Sequence, residues 1–381
     1  MWEILALPFL AFGAALIPSK KTDLKKIDEV FENMDICIKK GESIMYPKLR
    51  NKKQSETHST YSYSLPNGLP SDKVEVAKIA ICEALKKEID IEYKGILLIR
   101  AYKNKLPDKW KYDEGLIREK TWEVPIGKNH EGILYHDFDK YPHMLIGGVT
   151  RFGKTVFMKN IFNTLLINQP ANSKFYFLDL KGGLEFSKYL GLPQVKGVAS
   201  DVYEAVSLLD EIIYLVKERE KLFKQNGWTN VVDSPIKERI FVIVDEGAEL
   251  SPKIVQGEKK KYAEACQSAL SEIARIAGGL GVRLVYGTQY PTKEAVPMQI
   301  KMNIVARVSF VCAAQIASRV LLDEIGAESL PAIPGRAIYK IEKNRIVQAP
   351  YIDDKMMFKM MEEAKVDDIQ TGTNREVIDH N

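Results

Sequence analysis

The chain has 381 residues, too many for one small core, and its 45% hydrophobic and 28% charged content excludes wholesale disorder. A net charge of +4 is too mild to argue for nucleic acid by itself. The four cysteines, Cys37, Cys82, Cys266 and Cys312, are scattered without a C-x-x-C pair, so they read as small buried residues in a reducing compartment, not as a zinc site.

Residues 4–17, ILALPFLAFGAALI, carry no charge and are followed at once by Lys20, Lys21, Lys25 and Lys26. As a helix this run covers about 21 Å of a roughly 30 Å hydrocarbon layer, which is short for a comfortable span. The favoured reading of residues 1–19 is a membrane anchor or membrane-surface segment at the cytoplasmic face of the cell membrane, held there by the lysines. A cleaved secretory signal lacks support because no basic residue precedes the run; a buried core helix is the other reading.

Residues 20–57 read as a basic helix and a loose linker, and residues 58–119 as a small α/β domain. In it, Tyr61, Tyr63 and Leu65 alternate as in a strand, and Ser71 or Asp72 can cap a helix carrying Val74, Ala77, Ile81, Ala84 and Leu85. A second strand is expected over residues 96–101. The basic stretch 102–111 is a boundary whose lysines read as a solvated loop before a nucleic-acid contact.

The densest signal is YPHMLIGGVTRFGKTVFMKN, residues 141–160. An apolar run enters a loop of Gly148, Val149, Thr150, Arg151, Phe152 and Gly153, which delivers Lys154, Thr155 and Val156 onto a helix-like stretch. This is G-x-x-x-x-G-K-T between a strand and a helix, where successive N–H groups and the helix N-terminus surround phosphates. Lys154 would reach the β- and γ-phosphates of ATP and the Thr155 hydroxyl would bind Mg²⁺. A chance match is the bland alternative, and the next stretches weigh against it.

KFYFLDLKGG, residues 174–183, puts Asp179 and Lys181 at a strand end, a weak signal alone. RIFVIVDEGAEL, residues 239–250, is a strand buried on both faces that ends in Asp245 and Glu246, suited to the metal shell and to polarising water. VRLVYGTQYPT, residues 282–292, ends in Gln289, whose amide is suited to sensing the γ-phosphate. A further strand over 304–312 carries Arg307, and the helix after it Arg319; each is a candidate cationic finger for a neighbouring subunit's ATP, Arg307 the first choice and Arg319 the second, against a structural ion pair as the alternative. For Arg319 that pair would be Asp323, one turn on. The pattern predicts a doubly wound, mainly parallel α/β sheet.

HMLIGGVTRFGKT, FLDLKGG, FVIVDEGAEL, GTQYPT and SRVLLDEIGAESLPAIPGRAIY, in this order, resemble the RecA-like motor of the FtsK/SpoIIIE DNA translocases. Among these, the chain is similar to the FtsK-like coupling ATPases (TcpA type) of Gram-positive conjugative elements. The resemblance covers roughly residues 120–352 and, more faintly, 58–105; residues 353–381 are left as a C-terminal helix and polar tail. It implies a homo-hexameric ring that hydrolyses ATP and pulls DNA, single- or double-stranded being left open, with relaxase and conjugation-channel membrane proteins as partners. It also gives Lys154 and Thr155 the loop roles, Asp245 and Glu246 the metal and water roles, and Gln289 the sensor role. The lysine-rich stretch 251–261 would lie near the pore or be a solvated loop. Arg151 and Phe152 depart from the small residues usual before the loop's last glycine. A protein-secretion motor and a chromosome or plasmid partition translocase are the alternative functions; the polar tail leaves no room for a winged-helix reader, so mobile-element transfer is favoured over segregation.

Overall fold

The computed structural model describes residues 21–362, and the chain divides between Lys105 and Leu106 into two compact units. The apolar run 4–17 and the tail beyond 362 lie outside the described residues, among which no helix is long and apolar enough to cross a membrane.

The first unit is built on a four-stranded antiparallel sheet. Its elements are α1 (Asp23–Asn33), the hairpin β1 (Ile38–Lys40) and β2 (Ser43–Met45), β3 (Lys48–Gln54), β4 (His58–Ser64), α2 (Asp72–Val76), α3 (Lys78–Leu85), β5 (Ile89–Tyr93) and β6 (Leu97–Tyr102), with sheet order β3-β4-β6-β5. The period-two pattern of β4 buries Tyr61 and Tyr63 on one face, where Ile27 and Phe31 of α1 and Val74, Ala77 and Ile81 close the core. Tyr61 and Tyr63 donate hydrogen bonds to Asp23 and Asp28 of α1, so the helix is fixed by polar as well as apolar contacts. The linker expected over 20–57 is therefore a folded part of this unit. The helix expected there is α1, and the lysines of β3, Lys48, Lys52 and Lys53, are exposed.

The second unit carries a ten-stranded sheet. In chain order it contains β7 (Glu123–Lys128), β8 (Ile133–Asp137), β9 (Met144–Gly147), α4 (Lys154–Asn168), β10 (Ser173–Leu178), β11 (Val195–Ala199), α5 (Val202–Asn226), β12 (Arg239–Val244), α6 (Lys259–Glu272), β13 (Val282–Thr288), α7 (Met298–Lys301), β14 (Ala306–Phe310), α8 (Gln315–Leu322), β15 (Arg336–Lys340) and β16 (Asn344–Gln348). The order is β11-β10-β12-β13-β9-β14-β15-β16-β7-β8. Pairing is parallel from β11 to β14 and antiparallel from β14 to β8, so the sheet is mixed where a mainly parallel one was expected. The difference arises because β15 and β16 pair as adjacent antiparallel strands and β7 and β8 return to that edge without a crossover helix.

Both faces of the central strands are covered. On β12, Ile240, Val242 and Val244 join the core under α5 and α6, while Phe241 and Ile243 join the core under α4. On the α4 side Phe162 meets Phe175 and Phe177 edge-on at 4.8 and 5.1 Å, the geometry that ring quadrupoles favour. Residues 106–119, expected in the small domain, belong to this unit: the Tyr112 hydroxyl lies 2.6 Å from Thr164 Oγ1 on α4, and its N–H donates to Tyr351. At the amino-terminal edge of the parallel strands, Asp139 accepts from buried Arg239 and Arg283, tying β12 and β13 to the segment before β9.

Candidate nucleotide site

The loop between β9 and α4 is held from two sides. Val149 N–H donates to Val311 O at 2.9 Å, and Gly335 N–H donates to Phe152 O at 2.9 Å. Gly148, at φ +138°, admits no side chain: a Cβ there would stand 2.7 Å from Phe310 Cβ. A Cβ on Gly153, at φ +110°, would meet Gly335 N at 3.2 Å. Arg151 takes the left-handed conformation at φ +70° with its side chain exposed, and Phe152 leans on the apolar core. The N–H groups of residues 151–155 donate to no carbonyl among the described residues. They form the donor-rich concavity that an anion would fill.

Parallel pairing brings the other motif residues to the same sheet edge. Asp245 follows β12 directly and faces the loop: Lys154 Nζ lies 2.7 Å from Asp245 Oδ1 and also donates to its carbonyl oxygen. Thr155 Oγ1 stands 3.5 Å from the same carboxylate oxygen. Glu246 is buried; its Oε1 accepts from the Thr288 hydroxyl at 2.7 Å and from Gln289 N–H at 3.1 Å, and Lys181 Nζ is 3.2 Å from its Oε2. Gly247 is required next to it, since a Cβ would fall 2.1 Å from the Tyr286 ring, which roofs the turn.

Lys154, Thr155, Asp245, Glu246 and Gln289 are thus brought together at one sheet edge. Gln289 reaches Glu246 through its backbone N–H, and the side chain that touches the acid is that of Thr288. A hydroxyl one residue earlier carries no motif of its own, so the sequence did not mark it. Lys181 was visible in FLDLKGG, but nothing in the spacing pointed it at Glu246. The turn that carries it is shaped by Asp179, whose Oδ2 accepts from the N–H groups of Glu185 and Phe186 at 2.8 and 3.0 Å, and by Gly182 and Gly183 at positive φ. Burial raises the Asp179 carboxyl above its ordinary range, and the negative charge of Asp245 adds to the rise.

The two arginines are placed differently from each other. Arg307 lies three residues back from the edge on β14, level with Leu145, and its guanidinium donates to Asp323 and to the carbonyls of Ile304 and Leu321. The alternative pairing of Arg319 with Asp323 is not made: Asp323 caps α8 with φ +60°, which turns its carboxylate toward Arg307 and Lys301, the latter at 2.6 Å. Arg319 is exposed on α8. Lysines 253 and 259–261 are exposed as well.

Among the described residues no cluster of three or more His, Cys, Asp or Glu could enclose a metal. The hydroxyl of Thr155 and the carboxylate of Asp245 are hard oxygen donors on one side of the loop, which suits Mg²⁺ completed by phosphate and water.

Residues 117–239 match the family model described as the FtsK/SpoIIIE family, so the chain carries an FtsK/SpoIIIE-type domain. It is 28% identical over 324 residues to the DNA translocase FtsK of Caldanaerobacter subterraneus subsp. tengcongensis, covering 80% of this chain and 43% of that protein. The chain spans less than half the length of the curated relatives it matches. Among solved structures, the pCW3 conjugation coupling protein TcpA, in monomer form with ATPgS, superposes with a TM-score of 0.65 at 25% identity over 89% of this chain and 99% of that one. The cytoplasmic domain of the Thermomonospora curvata type VII secretion ATPase EccC shares the fold, with a TM-score of 0.55 at 23% identity over 67% of this chain and 32% of that one.

Proposed function

We propose that this chain, bearing an FtsK/SpoIIIE-type domain, is an ATP-driven DNA translocase that acts as the coupling protein in conjugative transfer. The observation that carries the reading is the convergence of a phosphate-binding loop with Lys154–Asp245 and with a buried Glu246 oriented by Thr288. The similarity to TcpA over nearly the whole of that chain favours conjugation over the other uses of the fold.

In this reading the N–H groups of residues 151–155 cradle the phosphates of ATP. Lys154 moves from Asp245 onto the β- and γ-phosphates, and the Thr155 hydroxyl and the Asp245 carboxylate hold Mg²⁺. When bound, the metal neutralises charge on the phosphate oxygens. Glu246, fixed by the Thr288 hydroxyl and Gln289 N–H, orients the attacking water and takes its proton. A ring of identical subunits completes each site with an arginine from the next. Arg319 suits that part better than Arg307, because Arg307 is engaged by Asp323 and two carbonyls of its own chain. Residues 4–17 dock the motor at the cytoplasmic face of the membrane, near the channel proteins it would serve.

The test is ATP turnover by the full chain with and without single- and double-stranded DNA. Stimulation by DNA that is lost in Lys154→Ala supports the reading; turnover indifferent to DNA of both kinds removes it.

A further inference from the structure

The motif FLDLKGG is left without a role by the chemistry above, yet the structure aims its lysine at the centre of the site. Lys181 extends from the turn after β10, a strand adjacent to β12, and its ammonium is 3.2 Å from Glu246 Oε2. Each of the two consecutive acids therefore carries its own cation: Asp245 holds Lys154 and Glu246 holds Lys181. The two lysines differ in freedom. The Lys154 side chain is 3% exposed, whereas that of Lys181 is 39% exposed on a turn with two glycines at φ +81° and +70°. Glu246 does not depend on Lys181 for its hydrogen bonds, because Thr288 Oγ1 and Gln289 N–H already satisfy it. Lys181 can thus leave without stranding a bare buried carboxylate.

We propose that Lys181 is a second phosphate-binding lysine of the nucleotide site, resting on Glu246 until a terminal phosphate takes it. The proposal rests on the reading of residues 148–155 as a nucleotide loop. A γ-phosphate beside Glu246 presents oxygens of higher charge than the carboxylate, and a mobile ammonium moves to them. The transfer uncovers Glu246 Oε2, so the acid becomes open to water only when a triphosphate is present. ADP, lacking that group, leaves Lys181 where it is. Lys181 would therefore distinguish triphosphate from diphosphate, a task that Lys154, reaching both β- and γ-phosphates, does not perform alone.

The experiment is equilibrium binding of Mg-ADP and Mg-ATPγS to the full chain, comparing wild type with Lys181→Met and Lys181→Arg. Loss of one charge-assisted contact predicts about tenfold weaker ATPγS binding in Lys181→Met. ADP binding should stay within about twofold, since no contact to it is lost, and Lys181→Arg should restore part of the ATPγS affinity. ADP binding also reports that the variant is folded. Unchanged ATPγS affinity in Lys181→Met, or equal weakening of both nucleotides, overturns the inference and leaves Lys181 as a partner of Glu246 alone. Failure of the wild type to bind either nucleotide overturns instead the reading of the loop.

Discussion

Lys154 Nζ lies 2.7 Å from Asp245 Oδ1, with both side chains almost wholly withdrawn from solvent. If Lys154 serves phosphate and Asp245 the metal, as proposed, filling the site requires the pair to part. The pair also has a consequence for folding. Removing one partner of a buried ion pair strands the other, at about 3–5 kcal/mol. Lys154→Met should therefore lose stability on that scale in urea unfolding of the apo protein, as well as losing nucleotide binding. Adding Asp245→Asn should return part of the loss, and a double-mutant cycle in which the two changes simply add would show that the pair is not coupled.

Glu246→Gln preserves the shape of the acid and its acceptor from Thr288 but cannot take a proton. Turnover should fall by about 10²–10⁴-fold with nucleotide binding intact. Thr288→Val, which removes the 2.7 Å hydrogen bond, should lower kcat by a smaller factor and leave KM for ATP nearly unchanged. Phosphate release and equilibrium binding on the same preparations check both; a Glu246→Gln protein working at the wild-type rate would move the water-activating role elsewhere.

Acid should weaken the fold before it touches the nucleotide site. Burial, reinforced by the charge of Arg283, lowers His136 and His143 from the ordinary histidine value of 6.5 to about 3. Between those values the unfolded chain binds protons that the native chain refuses, so stability falls as pH drops below about 6.5. At pH 5 the loss is about 2 kcal/mol per histidine. Asp139 acts in the same direction at lower pH: burial raises its carboxyl, but hydrogen bonds from Arg239 and Arg283 outweigh this and hold it below its ordinary range. Urea midpoints at pH 7.5, 6 and 5 measure the slope, and His143→Gln should flatten it. Stability that rises on acidification over this range would contradict the assignment.

If subunits share sites, Arg319→Ala should cut turnover by roughly 10³-fold with nucleotide affinity kept. Arg307→Ala should instead lower the unfolding midpoint, because it breaks the link between β14 and the end of α8. Mixed rings of Arg319→Ala and Lys154→Ala subunits should regain part of the activity, since some interfaces would join an intact loop to an intact arginine. No recovery in rings proven to be mixed would place the finger elsewhere.

The parts of this site that sequence makes legible are those where backbone geometry imposes a motif. Gly148 and Gly153 are needed at positive φ, and five buried apolar residues ending in Asp245 and Glu246 announce a central strand. Contacts across strands were less legible. That the Thr288 hydroxyl and the Gln289 N–H meet Glu246, and that Lys181 reaches it from the turn after β10, depend on parallel register, which local spacing does not encode. The same holds for Asp323, which ends α8 in a left-handed cap and pairs with Lys301 and Arg307 instead of with Arg319 one turn back. In the first unit the helix α1 is legible, whereas β3, whose Lys48, Lys52 and Lys53 are exposed, reads as linker.

Coupling of ATP hydrolysis to DNA, as proposed, is tested by steady-state ATP turnover of the full chain across a titration of DNA. Linear double-stranded and single-stranded molecules are each compared with a DNA-free control. DNA coupling predicts a rise in kcat with at least one form, saturating with DNA concentration, weakened by salt as phosphate contacts are screened, and absent in Lys154→Ala and Glu246→Gln. Turnover that depends on Lys154 and Glu246 but is the same with and without either DNA would contradict it and point to a motor for another polymer, such as a secreted protein.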